Sequence, residues 1–246
     1  MDIALVPANV AAVLYQKTNG GLTVIDINTF GVLYFITGDE SVKSVTDLKG
    51  KTIYLTGKGT TPEASIRYVL KQNGLAESDY TLEFKSEATE VAAVLAENPN
   101  AIGFLPQPFV TAALAQNEVL KVVLDMNEEW MKVQADGSSM VTGVTVVRNE
   151  FLQENEEAVK RFLAEHEESA AAINRDMEKG AVLAAEAGIV AKEPIAKKAI
   201  PECNITCITG AEMKVALEKY LNVLAEFKAE IVGGSVPGEE FYYIAE

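Results

Sequence analysis

The run Gly57-Lys58-Gly59-Thr60-Thr61-Pro62 is where residue types and spacing in this chain best suit chemistry. Two glycines set two apart let the backbone turn tightly and approach a bound group closely. Thr60 or Thr61 can cap a following helix, Pro62 fits its first turn, and Gly74 ends it. The N–H groups at such a helix start can hold a small polar or anionic group, so the chemistry is capture rather than bond-making. Thr60 and Glu63 also have capping-box spacing. That predicts a carboxylate competing for one of those N–H groups, which argues against a highly charged ligand. Lys58 reads as a solvated loop lysine.

Residues that carry reactive groups elsewhere receive plainer readings. His166, the sole histidine, lies between Glu165 and Glu167 in an amphipathic helix and is expected on the surface. Cys203 and Cys207 are the only cysteines. A strand would hold their Cα atoms about 13 Å apart, too far for a disulfide, while a helical turn would bring them near bridging range. Two thiols and one histidine do not complete a structural zinc site, so packed, unpaired thiols are expected. Trp130 reads as a packing anchor. Glu128 and Glu129 are neighbours on a helix and do not face one another as a catalytic pair would. The sequence has no G-x-S-x-G, no Walker phosphate loop and no H-E-x-x-H. No cofactor is implied.

The surrounding pattern supplies the elements that must position these residues. Ile3–Val6, Thr52–Leu55, Thr81–Lys85, Ala101–Leu105, Lys121–Leu124 and Met140–Val147 have the length and β-branched character of strands. Leu22–Thr37 is long and apolar with Gly31 inside it, which predicts an extended segment that bends. Helices are expected over Val10–Lys17, from Thr60 or Thr61 to Gly74, and over Glu87–Glu97 and Pro108–Gln116. This alternation predicts an α/β fold with a parallel sheet covered by helices on both faces. After Val147 the pattern reads as nearly all helix. Phe151, Leu152, Val159, Phe162 and Leu163 recur at helical spacing, with Glu156–Lys160 as a supporting pair. Thr209 and Glu212 have capping-box spacing ahead of Met213, Leu217, Tyr220, Leu221 and Leu224 on one face.

At 246 residues the chain can bury a proper core and is large enough for two ordinary lobes or one large domain. The net charge of −15, from 21 basic and 36 acidic residues, comes without a basic stripe, which argues against nucleic acid and anionic membranes as partners. No apolar run reaches the length of a membrane span.

The order DIALVPAN, NTFGVLYFITG and SVTDLKGKTIYLTGKGTTPEASIRYVLKQNGL resembles the solute-binding proteins of ABC importers. The branch concerned serves nitrate, alkyl-sulfonate and thiamine-pyrimidine uptake. AIGFLPQPFVTAAL, VTGVTVVRNEFLQENEEAVKRFL and IVGGSVPGEEFYY extend the resemblance along the chain. It implies a two-lobed, type II periplasmic-binding-protein-like fold, with lobe one in residues 1–34 and 141–246 and lobe two in 35–140. Two extended hinge crossings, near Asn28–Tyr34 and Val141–Val147, would flank a cleft that closes on a small solute. An ABC permease and ATPase would be the partners, in an extracytoplasmic setting.

The same resemblance names the binding positions. Pro7, Ala8 and Asn9 match a cleft-facing loop, with helix capping as the other reading of Asn9. Asn28 and Thr29 match the outward crossing, where turn chemistry is the plainer role. Gly59, Thr60 and Thr61 match the helix-start loop, Gln107 a cleft-lining turn, and Thr142 and Gly143 the return crossing. Thiamine-pyrimidine synthases resemble this branch too, but they depend on a histidine and a cysteine-rich motif that this sequence does not show, so binding is expected rather than catalysis. A sensory binding module that uses the lobes without transport is the other alternative. Relatives carry a signal peptide and a leading strand–helix–strand unit ahead of the DIALVPAN segment. Lobe one is therefore expected to be N-terminally incomplete, with a bared sheet edge that favours self-association.

Overall fold

The computed structural model describes residues 1–136 and 138–244. They divide into two compact units. The first comprises Met1–Gly31, Met140–Gly180 and Asn204–Glu246; the second comprises Val32–Ser139 and Ala181–Cys203.

In chain order the first half contains β1 (Ile3–Pro7), α1 (Ala8–Lys17), β2 (Leu22–Phe30), β3 (Leu33–Thr37), β4 (Thr52–Leu55), α2 (Thr61–Gln72) and β5 (Thr81–Phe84). Next come α3 (Ala88–Glu97), β6 (Ile102–Pro106), α4 (Phe109–Gln116), β7 (Lys121–Asp125), α5 (Met126–Val133) and β8 (Val141–Arg148). The remainder is α6 (Asn149–Glu154), α7 (Glu156–Arg175), α8 (Met177–Glu186), α9 (Glu193–Ala199), β9 (Ile205–Ile208) and α10 (Gly210–Phe227).

The first unit is built on the sheet β1-β8-β2-β9, antiparallel at every pairing. β2 is buried along Leu22–Asn28, as a strand covered on both faces is. Phe151, Leu152, Val159, Phe162 and Leu163 from α6 and α7 pack with Ile3, Ile25 and Val147. Met213, Leu217, Tyr220, Leu221 and Leu224 form the buried stripe of α10, which packs against α1 and β2.

The second unit holds the sheet β5-β4-β6-β3-β7. β4 runs parallel to β5 and β6, while β3 is antiparallel to β6 and β7. Alternation along β3 serves two core layers. Tyr34 and Ile36 pack with Val91, Leu95 and Val110 of α3 and α4. Phe35 instead meets Phe104 at 4.6 Å between ring centroids. Trp130 is fully buried and lies 4.8 Å from the Tyr68 ring, so it is the packing anchor its pattern suggested.

Three features depart from expectation. The sheets are antiparallel and mixed rather than parallel. In the first unit β8 inserts antiparallel between β1 and β2, and in the second β3 lies between β6 and β7 and runs antiparallel to both. Segments from distant parts of the chain thus interrupt the parallel order that strand–helix alternation predicts. The helical tail contains a strand, β9, whose four residues are too short a run to declare a period. Ala181–Cys203 groups with the second unit rather than with residues 141–246. There α9 packs on α4, and the Tyr34 hydroxyl donates to the Glu202 carbonyl oxygen at 2.6 Å.

Candidate functional site

In the first unit, register brings three candidate positions into one row. Pro7 on β1 and Thr29 on β2 both pair with Gly143 on β8. Asn28 and Thr142 adjoin the row, and Ala8 and Asn9 open α1 beside it. Asn28 and Thr29 sit in a strand rather than a turn, at a point where the pairing register of β2 shifts. Gly143 is bare for a visible reason: a Cβ there would lie 2.4 Å from Asn28 Oδ1. Asn9 is not the helix cap, a position taken by Pro7; its Nδ2 donates to the Ile231 carbonyl oxygen at 3.4 Å. Ala8 is buried.

Behind that row runs a buried polar chain. The Thr29 hydroxyl donates to Asn28 Oδ1 at 3.0 Å, and Asn28 Nδ2 donates to Thr145 Oγ1 at 3.2 Å. The Thr145 hydroxyl donates to Asp26 Oδ1 at 2.9 Å, and the second oxygen of Asp26 lies 3.1 Å from His166 Nδ1. Burial pushes the Asp26 carboxyl above its ordinary range, while the nearby imidazole and Thr145 pull it back down.

Sequence reasoning missed this chain. His166 is not a surface histidine: its side chain keeps 17% exposure and its ring packs, tilted, against Phe162 at 5.5 Å between centroids. The signal was in the periodicity. Val159, Phe162, Leu163 and His166 lie on one helical stripe, and the flanking glutamates drew attention away from it. Cys207 also faces this cluster from β9. Burial first, and then the charges of Asp26 and Glu167, push its thiol up to about 12. Neither Cys203 nor Cys207 is disulfide-bonded.

The second unit carries the other candidates. Gly57 and Gly59 take positive φ values of 80° and 74°, the left-handed backbone that glycine adopts without strain. The loop satisfies much of itself. Gly59 N–H donates to Glu63 Oε2 at 2.7 Å, and the Thr60 hydroxyl donates to the Gly57 carbonyl oxygen at 2.6 Å. The expected capping box is therefore replaced by a reach-back one residue earlier, with Thr60 turned away from the helix. Glu63 is held in turn by Arg67 Nε at 2.8 Å. Thr61 opens α2 and is half-buried. Lys58 lies over the Phe84 ring at 5.8 Å. Gln107 Oε1 accepts from the Thr111 hydroxyl at 2.8 Å and from its N–H at 3.3 Å, which anchors the start of α4. Thr209 likewise caps α10 without a side-chain bond.

Fold and sequence both relate the chain to known proteins. A structure of an ABC transporter protein from Parabacteroides distasonis superposes on all of this chain and 81% of its own, with a TM-score of 0.82 and 25% identity. The periplasmic aliphatic sulphonate binding protein SsuA from Escherichia coli matches 96% of this chain and 77% of its own, with a TM-score of 0.73 at 16% identity. The architecture is thus that of the two-lobed periplasmic binding proteins. The NMT1/THI5-like family profile matches residues 21–178, and the chain belongs to that family. A Brucella abortus protein named as a binding protein is 28% identical over 156 residues, covering 63% of this chain and 46% of that protein. The chain spans about half the length of the curated relatives it matches. Among the described residues no helix is long and apolar enough to cross a membrane.

Proposed function

We propose that this chain is the solute-binding component of an ABC import system. It works outside the cytoplasm and hands a small organic solute to a permease driven by an ATPase. The observation that carries this reading is the match of the whole chain to the Parabacteroides ABC transporter protein at a TM-score of 0.82. Family membership and the binding-protein fold support it from independent directions.

In this reading the two units close on the solute, a hinge transition common to binding proteins of this architecture. The Pro7–Gly143–Thr29 row with Asn28 and Thr142 serves from the first unit. Thr60, Thr61 and Gln107 serve from the second. Gly59 contributes its conformation, since Glu63 already holds its N–H. These positions offer neutral hydroxyl and amide groups and no arginine fork, so a singly charged sulfonate or a pyrimidine suits them better than a doubly charged anion. The sulphonate ligand of the E. coli neighbour points to the same class.

A thermal-shift and calorimetric screen of alkanesulfonates and substituted pyrimidines tests the proposal. A true solute stabilises the fold by mass action, by about 2.7 kcal/mol at a hundredfold excess over Kd. Solution scattering should show a smaller radius of gyration in its presence. A panel in which nothing shifts the unfolding temperature rejects the proposed solute class, and an unaltered scattering profile with bound solute rejects closure.

A further inference from the structure

β2, α7 and β9 bring together three side chains far apart in sequence: Asp26, His166 and Cys207. Their ligand atoms all lie within 4.8 Å of one another. Asp26 is fully buried, while His166 and Cys207 are partly exposed. We propose that these three side chains bind one divalent transition-metal ion of the zinc class, through residues other than the proposed solute positions.

The donor set decides the class of ion. One carboxylate oxygen, one imidazole nitrogen and one thiolate sulfur make a borderline-soft site, whereas magnesium and calcium take oxygen ligands. Tetrahedral bonds of about 2.0–2.3 Å space neighbouring ligand atoms about 3.3–3.5 Å apart. Asp26 Oδ2 and His166 Nδ1, at 3.1 Å, already stand near that spacing. Any remaining gap closes by at most about 1.5 Å, which rotation of a partly exposed cysteine side chain supplies.

The surroundings of the cluster fit the assignment. Thr145 holds the far oxygen of Asp26 at 2.9 Å and so orients the carboxylate, as outer hydrogen bonds do for metal-binding carboxylates. A fully buried carboxylate is costly to keep ionised, and a dication offsets that cost. Binding releases the Cys207 thiol proton to solvent. Three protein ligands leave the fourth position to water, reached from the partly exposed His166 side.

The test uses the full chain, reduced and chelator-treated, titrated with cobalt(II) or zinc(II) chloride alone. The expected result is one ion per chain and a thiolate-to-cobalt charge-transfer band. That band should persist in Cys203→Ser and vanish in Cys207→Ser. Zinc affinity should fall about 10- to 100-fold in Thr145→Val. In the Cys203→Ser chain, zinc should also slow alkylation of Cys207, a readout that does not depend on the Cys207 variant folding. No charge-transfer band at stoichiometric cobalt, unchanged alkylation with zinc, or zinc affinity that survives Cys207→Ser in a folded protein would each overturn the proposal.

Discussion

Gly143 and Asn28 set the tightest constraint on the candidate row. The Asn28 side chain is fixed at both ends, by Thr29 and by Thr145, so it cannot swing away from a new methyl group without losing a hydrogen bond. Gly143→Ala, with its Cβ 2.4 Å from Asn28 Oδ1, should therefore destabilise the chain by about 1–3 kcal/mol, the scale of overpacking in a close-packed interior. Urea unfolding checks this, and an unchanged midpoint would mean that the Asn28 chain is looser than its geometry indicates. At this scale the sequence was half legible. Trp130 declared itself by its size as a packing anchor. The partnership of Asp26 with His166 did not, because it joins residues 140 positions apart and no local pattern encodes it.

Elements were the most legible scale, since most are set by short-range periodicity and by breakers. Thr52–Leu55 is a strand with the bounds its β-branched run predicted, and Gly31 marks the bend between β2 and β3. The details of helix starts were less legible, because two acceptors compete for each N–H. The start of α2 tests which one matters. Glu63, only 8% exposed in its side chain, holds both the Gly59 N–H and Arg67. Glu63→Ala leaves both without that partner and should cost about 1–3 kcal/mol. Faster hydrogen exchange at the Gly59 amide should accompany the loss; an unaltered exchange rate would show that the loop holds its shape without Glu63.

A second clasp joins the segment after β3 to the start of β4. Asp39 accepts from Lys51 Nζ at 2.7 Å and from the Ser41 hydroxyl at 2.6 Å, and these bonds hold its carboxyl well below the usual carboxylate range. Because the folded-state value is depressed, ionised Asp39 stabilises the fold above its unfolded pKa of about 3.9. That contribution fades as pH falls through the lower folded value. The Tm difference between the natural chain and Asp39→Asn should therefore be largest near neutral pH and shrink in strong acid. A difference that is constant with pH would remove the ionised carboxylate as its cause.

Strand order belongs to the whole molecule, and little of it was legible, because pairing joins segments such as β1 and β8 that lie more than a hundred residues apart. One consequence of that order can be tested. β1 stands at the edge of its sheet and pairs, among the described residues, with β8 alone. Leu5 on that strand is 60% exposed. An open strand edge beside an apolar side chain is a template for another chain, and no lysine blunts it between Ile3 and Pro7. The 246-residue chain should therefore self-associate through β1 at tens of micromolar, a concentration range typical for such exposed edges. Leu5→Lys should shift it toward monomer, because burying an unpaired charge opposes edge pairing while the β1–β8 ladder remains intact. Sedimentation velocity on both forms decides the matter. A natural chain that sediments as a single monomeric species would show that Pro7 at the strand end and the Arg148–Asp2 ion pair at its start already guard the edge.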